Sequence, residues 1–308
     1  MHGIALGTLA LAVALGSGSA AAAALRHCDD PPPLSAAQQD RLFRFSALVR
    51  DSLQTSGHSL AIIARAGLDL RRFGQRYSHA GLSLQASPNT PWSVRQLYYD
   101  CDQRAPRLFD QGLPGFLLGG ADPALGHVVV LLLPAPAAQA LEATALNNAQ
   151  ALRLLAGRYS ANAHAFSTRY QNCNQWLAEL LALAWGGLAD GAGRSAAQAW
   201  LRQQGYAPTR MALHNPLLML AGLLLPWLHT DDHPADALAQ QVFEVSMPAA
   251  IEAFVRRQVP GAQRIEFCHD TQQMVVRQGW QPLADGCNAA AGDRVIPLAP
   301  MAAPAAGA

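Results

Sequence analysis

Short runs rich in β-branched and aromatic residues, fenced by glycine, proline or asparagine, crowd the stretch between residues 58 and 133. His58 to Ala66 ends at Gly67. Tyr77 to Leu84 and Trp92 to Tyr99 are separated by Pro88-Asn89-Thr90-Pro91, and His127 to Leu133 is apolar throughout. Such runs read as strands. Ahead of them Ser35 caps a helical pattern to Gln54, with Leu42, Phe45, Leu48, Val49 and Leu53 as its apolar positions. Behind them the period becomes helical from about Ala137 to Ala156, from Cys173 to Trp185 before Gly186-Gly187, and from Ser195 to Gln204. Strands first and helices afterwards predict an α+β chain, a small antiparallel sheet packed on helices. Gly112 to Gly126 reads as a surface loop, and Gly157 to Gln171 as irregular.

From Tyr206 the chain reads as a C-terminal α/β extension. Leu217 to Leu228 is an apolar helix broken at Pro226, too short to cross a bilayer and better suited to a buried or lid segment. Val242 to Ser246, Pro248 to Gln258, Arg264 to Cys268 and Met274 to Arg277 come next as a β-α-β-β element. The boundaries expected are a leader over 1–24, a catalytic domain over 25–205, an extension over 206–293 packed on it, and a disordered tail over 294–308.

The leader is expected because Ile4 to Leu15 is an apolar core of signal-peptide length and Ser17 to Ala24 offers small-residue cleavage sites. This implies a periplasmic or secreted protein with no permanent membrane span, a retained anchor being the alternative. Arg26 and His27 before Cys28 are wrong for lipidation. The formal charge of +1, with 22 Lys+Arg scattered along the chain, argues against nucleic acid as a partner. No glycine loop suited to phosphate follows a strand, and no G-x-S-x-G is present.

In an oxidising compartment four of the five cysteines can pair. Cys268 and Cys287 flank a plausible hairpin, which leaves Cys28 for Cys101 and Cys173 as the odd thiol. Cys173 stands between Asn172 and Asn174 at the start of a helix. Unpaired backbone N–H groups and the helix dipole there lower a thiol pKa and can hold an oxyanion. A buried, inert thiol is the other reading. His79 shares a strand face with Tyr77, Gly81 and Ser83, opposite the apolar Ala80, Leu82 and Leu84, so it is expected to face a polar cleft. A thiol and an imidazole are the minimum for nucleophilic catalysis, and a third group should orient the ring. Gln96, on the next strand with Val94 and Tyr98, is the first choice. His127 is the runner-up, followed by Asp100 and Asp102. No cofactor is expected. His229-Thr-Asp231-Asp232-His233 carries metal-ligand types, but reads as a polar loop rather than a metal site.

Tyr-Ser-His-Ala-Gly-Leu (77 to 82) resembles the histidine strand of permuted NlpC-like hydrolases. Asn-Cys-Asn-Gln-Trp (172 to 176) resembles the cysteine element of PPPDE peptidases and lecithin retinol acyltransferases. The order histidine, polar residue, cysteine is similar to that of the circularly permuted papain-like superfamily. The whole chain also looks like a bacterial family of uncharacterised secreted or periplasmic proteins within it. The resemblance covers roughly residues 58 to 185. It implies a thiol hydrolase or acyltransferase acting on amide or ester bonds of a peptide, peptidoglycan or acyl substrate. Cys173 would be its nucleophile and His79 its base. Many relatives carry Glu or His where Gln96 stands, which leaves the third role open. A papain-like binding or scaffold protein without turnover is the alternative, and a membrane-anchored interaction protein a third.

Overall fold

A computed structural model describes residues 33–298 apart from 121, 214 and 216–224. The expected leader, Cys28, most of the apolar segment 217–228 and residues 299–308 lie outside the described residues. Among those described, no helix is long and apolar enough to cross a membrane.

Helix α1 (Ala36–Thr55) begins at a complete capping box, Ser35 accepting from the Gln38 N–H while the Gln38 side chain accepts from the Ser35 N–H. Strands β1 (Leu60–Arg65), β2 (His79–Leu84), β3 (Ser93–Asp100) and β4 (Ala105–Gln111) continue the chain as an antiparallel series. Helix α2 (Leu113–Leu118) leads to β5 (Gly126–Leu132), and β5 pairs back onto β1. Next come α3 (Ala135–Leu146), α4 (Asn148–Arg153), α5 (Cys173–Trp185) and α6 (Arg194–Gln203). Strands β6 (Thr209–Ala212) and β7 (Val242–Val245), with the short α7 (Ala235–Ala239) between them, form a separate two-stranded sheet. Helix α8 (Pro248–Gln258) precedes β8 (Gln263–His269), β9 (Gln273–Gln278) and β10 (Arg294–Pro297).

The fold is α+β, as expected, but the sheet is not small. Eight strands run in the order β10-β9-β8-β5-β1-β2-β3-β4, so the last three strands of the chain extend the sheet that β1 to β5 begin. Residues 294–297, placed in the tail by composition, are its edge strand. Both faces of the central strands are covered. Leu60, Ile62 and Ala64 of β1 pack with Trp176, Leu177 and Leu180 of α5. Ala61 and Ile63 pack with Phe45, Val49 and Leu53 of α1 and with Phe116 of α2. The larger of these side chains each contribute about 1.5–3 kcal/mol on leaving water, which fixes the register of strands with two dry faces.

Three local readings are corrected. Residues 112–126 are not all loop, because Leu113, Phe116 and Leu117 bury one side of α2 against the sheet. The helix expected from Ala137 to Ala156 is broken at Asn147, whose extended backbone ends α3 and whose Oδ1 accepts from Gln150 N at 3.2 Å to start α4. Helix α6 is capped at Gly193, and Ser195 lies inside its first turn.

Candidate functional site

Asn172 has extended backbone, and its side-chain oxygen accepts from Gln175 N at 2.8 Å. That caps α5 and places Cys173 at the first helical position. Gln175 itself reaches back to the carbonyls of His164, Ala165 and Ser167, tying the irregular segment before the helix to its first turn. Deeper in α5, Glu179 accepts from Arg194 Nε at 2.9 Å, Gln198 Nε2 at 2.7 Å and Gln171 Nε2 at 2.6 Å. This closed polar network locks α5 against α6 and against the residues preceding Cys173.

The paired ladder between β2 and β3 begins at Leu82, whereas β2 pairs with β1 from His79 onward. The backbone of His79 to Gly81 is therefore outside the β3 ladder, and the Cys173 sulfur lies against it. The N–H groups of Asn174, of Ala80 and of Cys173 itself lie close enough to the sulfur to favour its charged form. Asn174 Nδ2 also donates to the Ser78 carbonyl at 3.1 Å. The start of α5 is thus fastened to β2 on both sides of His79. Among the described residues Cys173 is the free cysteine, 7% exposed. Burial pushes its thiol up to about 11, against the opposing pull of the Asn174 N–H, the Arg65 charge and the Ala80 N–H. The sulfur is therefore not held at the rim of an open groove, as its polar flanks suggested.

His79 is also buried. The face expected to look into a polar cleft looks into the layer formed by α1 and α2, and its ring lies 5.8 Å from that of Phe116. Its local surroundings are polar all the same. His79 Nε2 donates to Gln96 Oε1, and Gln96 Nε2 donates to Gln111 Oε1 at 2.6 Å. Gln111 turns the Gln96 amide so that its oxygen meets the imidazole. The ring then carries its proton on Nε2, leaving Nδ1 as the basic nitrogen. His79 and Gln96, the first of several choices for the third group, meet on the α1–α2 side of the sheet, whereas Cys173 packs with Ala80 and Leu82 in the α5 layer on the other side.

The family described as "Uncharacterized protein conserved in bacteria (DUF2145)" matches residues 52–255, from the end of α1 to the end of α8. The chain belongs to that family. No curated protein matches it, and no solved structure does.

In this DUF2145 member His127 does not adjoin the His79–Gln96 pair. It opens β5 beside Arg76, and burial holds its imidazole down to about 4. Asp100 caps the turn after β3 by accepting from Asp102 N and Gln103 N, each at 3.0 Å. Cys101 is disulfide-bonded, and its expected partner Cys28 lies outside the described residues. Cys268 and Cys287 are paired. The histidines of the 229–233 run diverge: His229 stacks on Tyr170 at 4.3 Å, while His233 donates to Asn162 O at 2.8 Å and packs edge-on to His164. Among the described residues no group of three or more His, Cys, Asp or Glu side chains is placed to hold a metal ion.

Two neighbours of the site were not anticipated from sequence. Arg65 pairs in register with His79 and exerts its charge on Cys173. An arginine ending an apolar strand was the available signal. Gln111 had none, because it ends a strand that the alternation did not disclose.

Proposed function

We propose that this protein is a thiol hydrolase or acyltransferase of permuted papain-like type, with Cys173 as nucleophile, His79 as base and Gln96 as the residue orienting the ring. The observation that carries the reading is the His79 Nε2–Gln96 Oε1 bond beside a strand backbone that also receives the Cys173 sulfur. A polar residue holds one ring nitrogen, and the free thiol sits at a capped helix start. In the reaction, which requires the His79 ring to reach the sulfur past the start of β2, Cys173 Sγ attacks an amide or ester carbonyl while its proton passes to His79 Nδ1. The N–H groups of Cys173 and Asn174, released from the sulfur as it bonds to carbon, hold the oxyanion. The C–N or C–O bond breaks, and the leaving amine or alcohol takes the proton from His79. Water or an acceptor amine or alcohol, deprotonated by His79, then releases the acyl group from sulfur. A peptide or cell-wall amide in the periplasm, after loss of residues 1–24, is the substrate class proposed, with an acyl ester second.

Burial of the sulfur and its pKa near 11 favour a second reading, a papain-like scaffold without turnover. Alkylation of the oxidised protein by iodoacetamide across pH separates the two. The enzyme reading expects one thiol reacting well below pH 8, absent in Cys173→Ala and slowed in His79→Ala. Negligible labelling until above pH 8.5 would overturn it in favour of the scaffold.

A further inference from the structure

A cavity of about 830 Å³ lies between α1, the loop after β1, the end of α2 and the start of β5. Neither Cys173 nor His79 lines it, although Arg65, which does, exerts its charge on Cys173. Its volume is that of a small-molecule site. Leu42, Phe45, Leu117 and Leu125 give it apolar walls.

Its polar lining is incomplete. Arg65 Nε, Gln75 Oε1, His127 Nδ1 and His269 Nδ1 are all buried with no hydrogen-bond partner, and all four residues line this one cavity. A buried polar group left unpaired costs about 1–3 kcal/mol, so four around one void mark a place where a ligand would complete the bonding. Arg65 is the cation among them. Its guanidinium lies against Gly67 and Gly119, where a Cβ would come within 2.8 Å and 2.5 Å of its nitrogens, and it stacks over Phe116. Glycine at both positions is what lets the charged group lie flat there.

The charge count narrows the ligand. Arg71 is paired with Asp69 and Arg76 with Glu266 and Asp285, and the remaining lining carboxylate, Asp122, is exposed and accepts from Ala124 N, whereas none of the ion pairs among the described residues uses the buried Arg65. His127 and His269, both buried, are held down to about 4 and are neutral at pH 7. One uncompensated buried cation beside two neutral imidazoles and apolar walls suits one negative charge on a greasy body. We infer that this cavity binds an amphipathic monocarboxylate, its carboxylate on Arg65 and its alkyl body along α1 and α2.

Calorimetric titration of the full chain with octanoate and with octanol tests this. The expected result is saturable 1:1 binding of octanoate, with octanol at least tenfold weaker, and loss of that difference in Arg65→Met. Should Arg65→Met not fold, Phe43→Asp serves instead. Phe43 lines the cavity and is 52% exposed, so the change spares the core and sets a negative charge beside the alkyl path. It should weaken octanoate at least fivefold, and octanol less. No saturable octanoate binding below about 1 mM, equal affinity for the two probes, or octanoate binding indifferent to Phe43→Asp would each overturn the assignment.

Discussion

At Cys173 burial and hydrogen bonding pull the thiol in opposite directions, and burial wins. The consequence for stability has a definite sign. The folded pKa, about 11, lies above the reference value of 9.0. Below pH 9 both folded and unfolded chains hold a neutral thiol. As pH rises from 9 to 11 the unfolded chain loses a proton that the folded one keeps, so stability falls across that window. The loss should approach roughly 3 kcal/mol, at about 1.4 kcal/mol for each pH interval of one. Tyrosines of the unfolded chain titrate in the same range, so the measurement is the difference in unfolding free energy between the native chain and Cys173→Ala from pH 8 to 11. That difference should shrink steadily above pH 9, and a constant difference would refute the buried neutral thiol.

Helix α5 shows how one element sets the site. Its cap, its polar network and its apolar stripe each act at a different level. Asn172→Ala removes the cap, and urea denaturation should report a loss of about 1 kcal/mol. Glu179→Ala is expected to cost more, about 3–5 kcal/mol, because it leaves Arg194 buried without its carboxylate partner. Burial tends to raise the Glu179 carboxyl, yet Arg194, Gln198 and Gln171 surround it with donors that favour the charged form. Glu179→Gln should retain part of the network and fall between the native protein and the alanine variant. An alanine variant as stable as the native protein would show that the network does not hold the helix.

For the whole molecule, the continuous sheet makes the C-terminal strands part of the central structure. Strand β8 pairs along all of β5, and Cys268–Cys287 closes a loop of 19 residues behind it. Reduction of that bridge should lower stability by about 3 kcal/mol if the loop-closure account holds. Guanidinium unfolding of Cys268→Ala/Cys287→Ala against the native protein would measure it. The buried histidines give the molecule an acid limit. At pH 7 folded and unfolded chains carry neutral His127 and His269. As pH falls from 6.5 the unfolded imidazoles take protons that the folded ones refuse until about 4, so stability drops over that range. Each contributes up to roughly 3 kcal/mol. His127→Asn should flatten part of the decline in thermal unfolding between pH 6.5 and 4, and an unchanged slope would deny the residue its buried, neutral state.

Most of the element order was legible because it rests on local signals. The Ser35 and Asn172 caps, the alternation of β2 and β3 and the glycines after α5 act within a few residues of themselves. They determined the α+β class, the placement of Cys173 at a helix start and the strand positions of His79 and Gln96. Tertiary structure alone decided what those residues meet. It added β8 to β10 to the sheet, buried α2 and covered the face bearing His79. It closed the sulfur against Ala80 and gathered Arg65, Gln75, His127 and His269 around one cavity. Those outcomes come from pairing and packing between segments far apart in the chain. Periodicity tells which side of an element is apolar; only the packed fold determines which partner covers the other side.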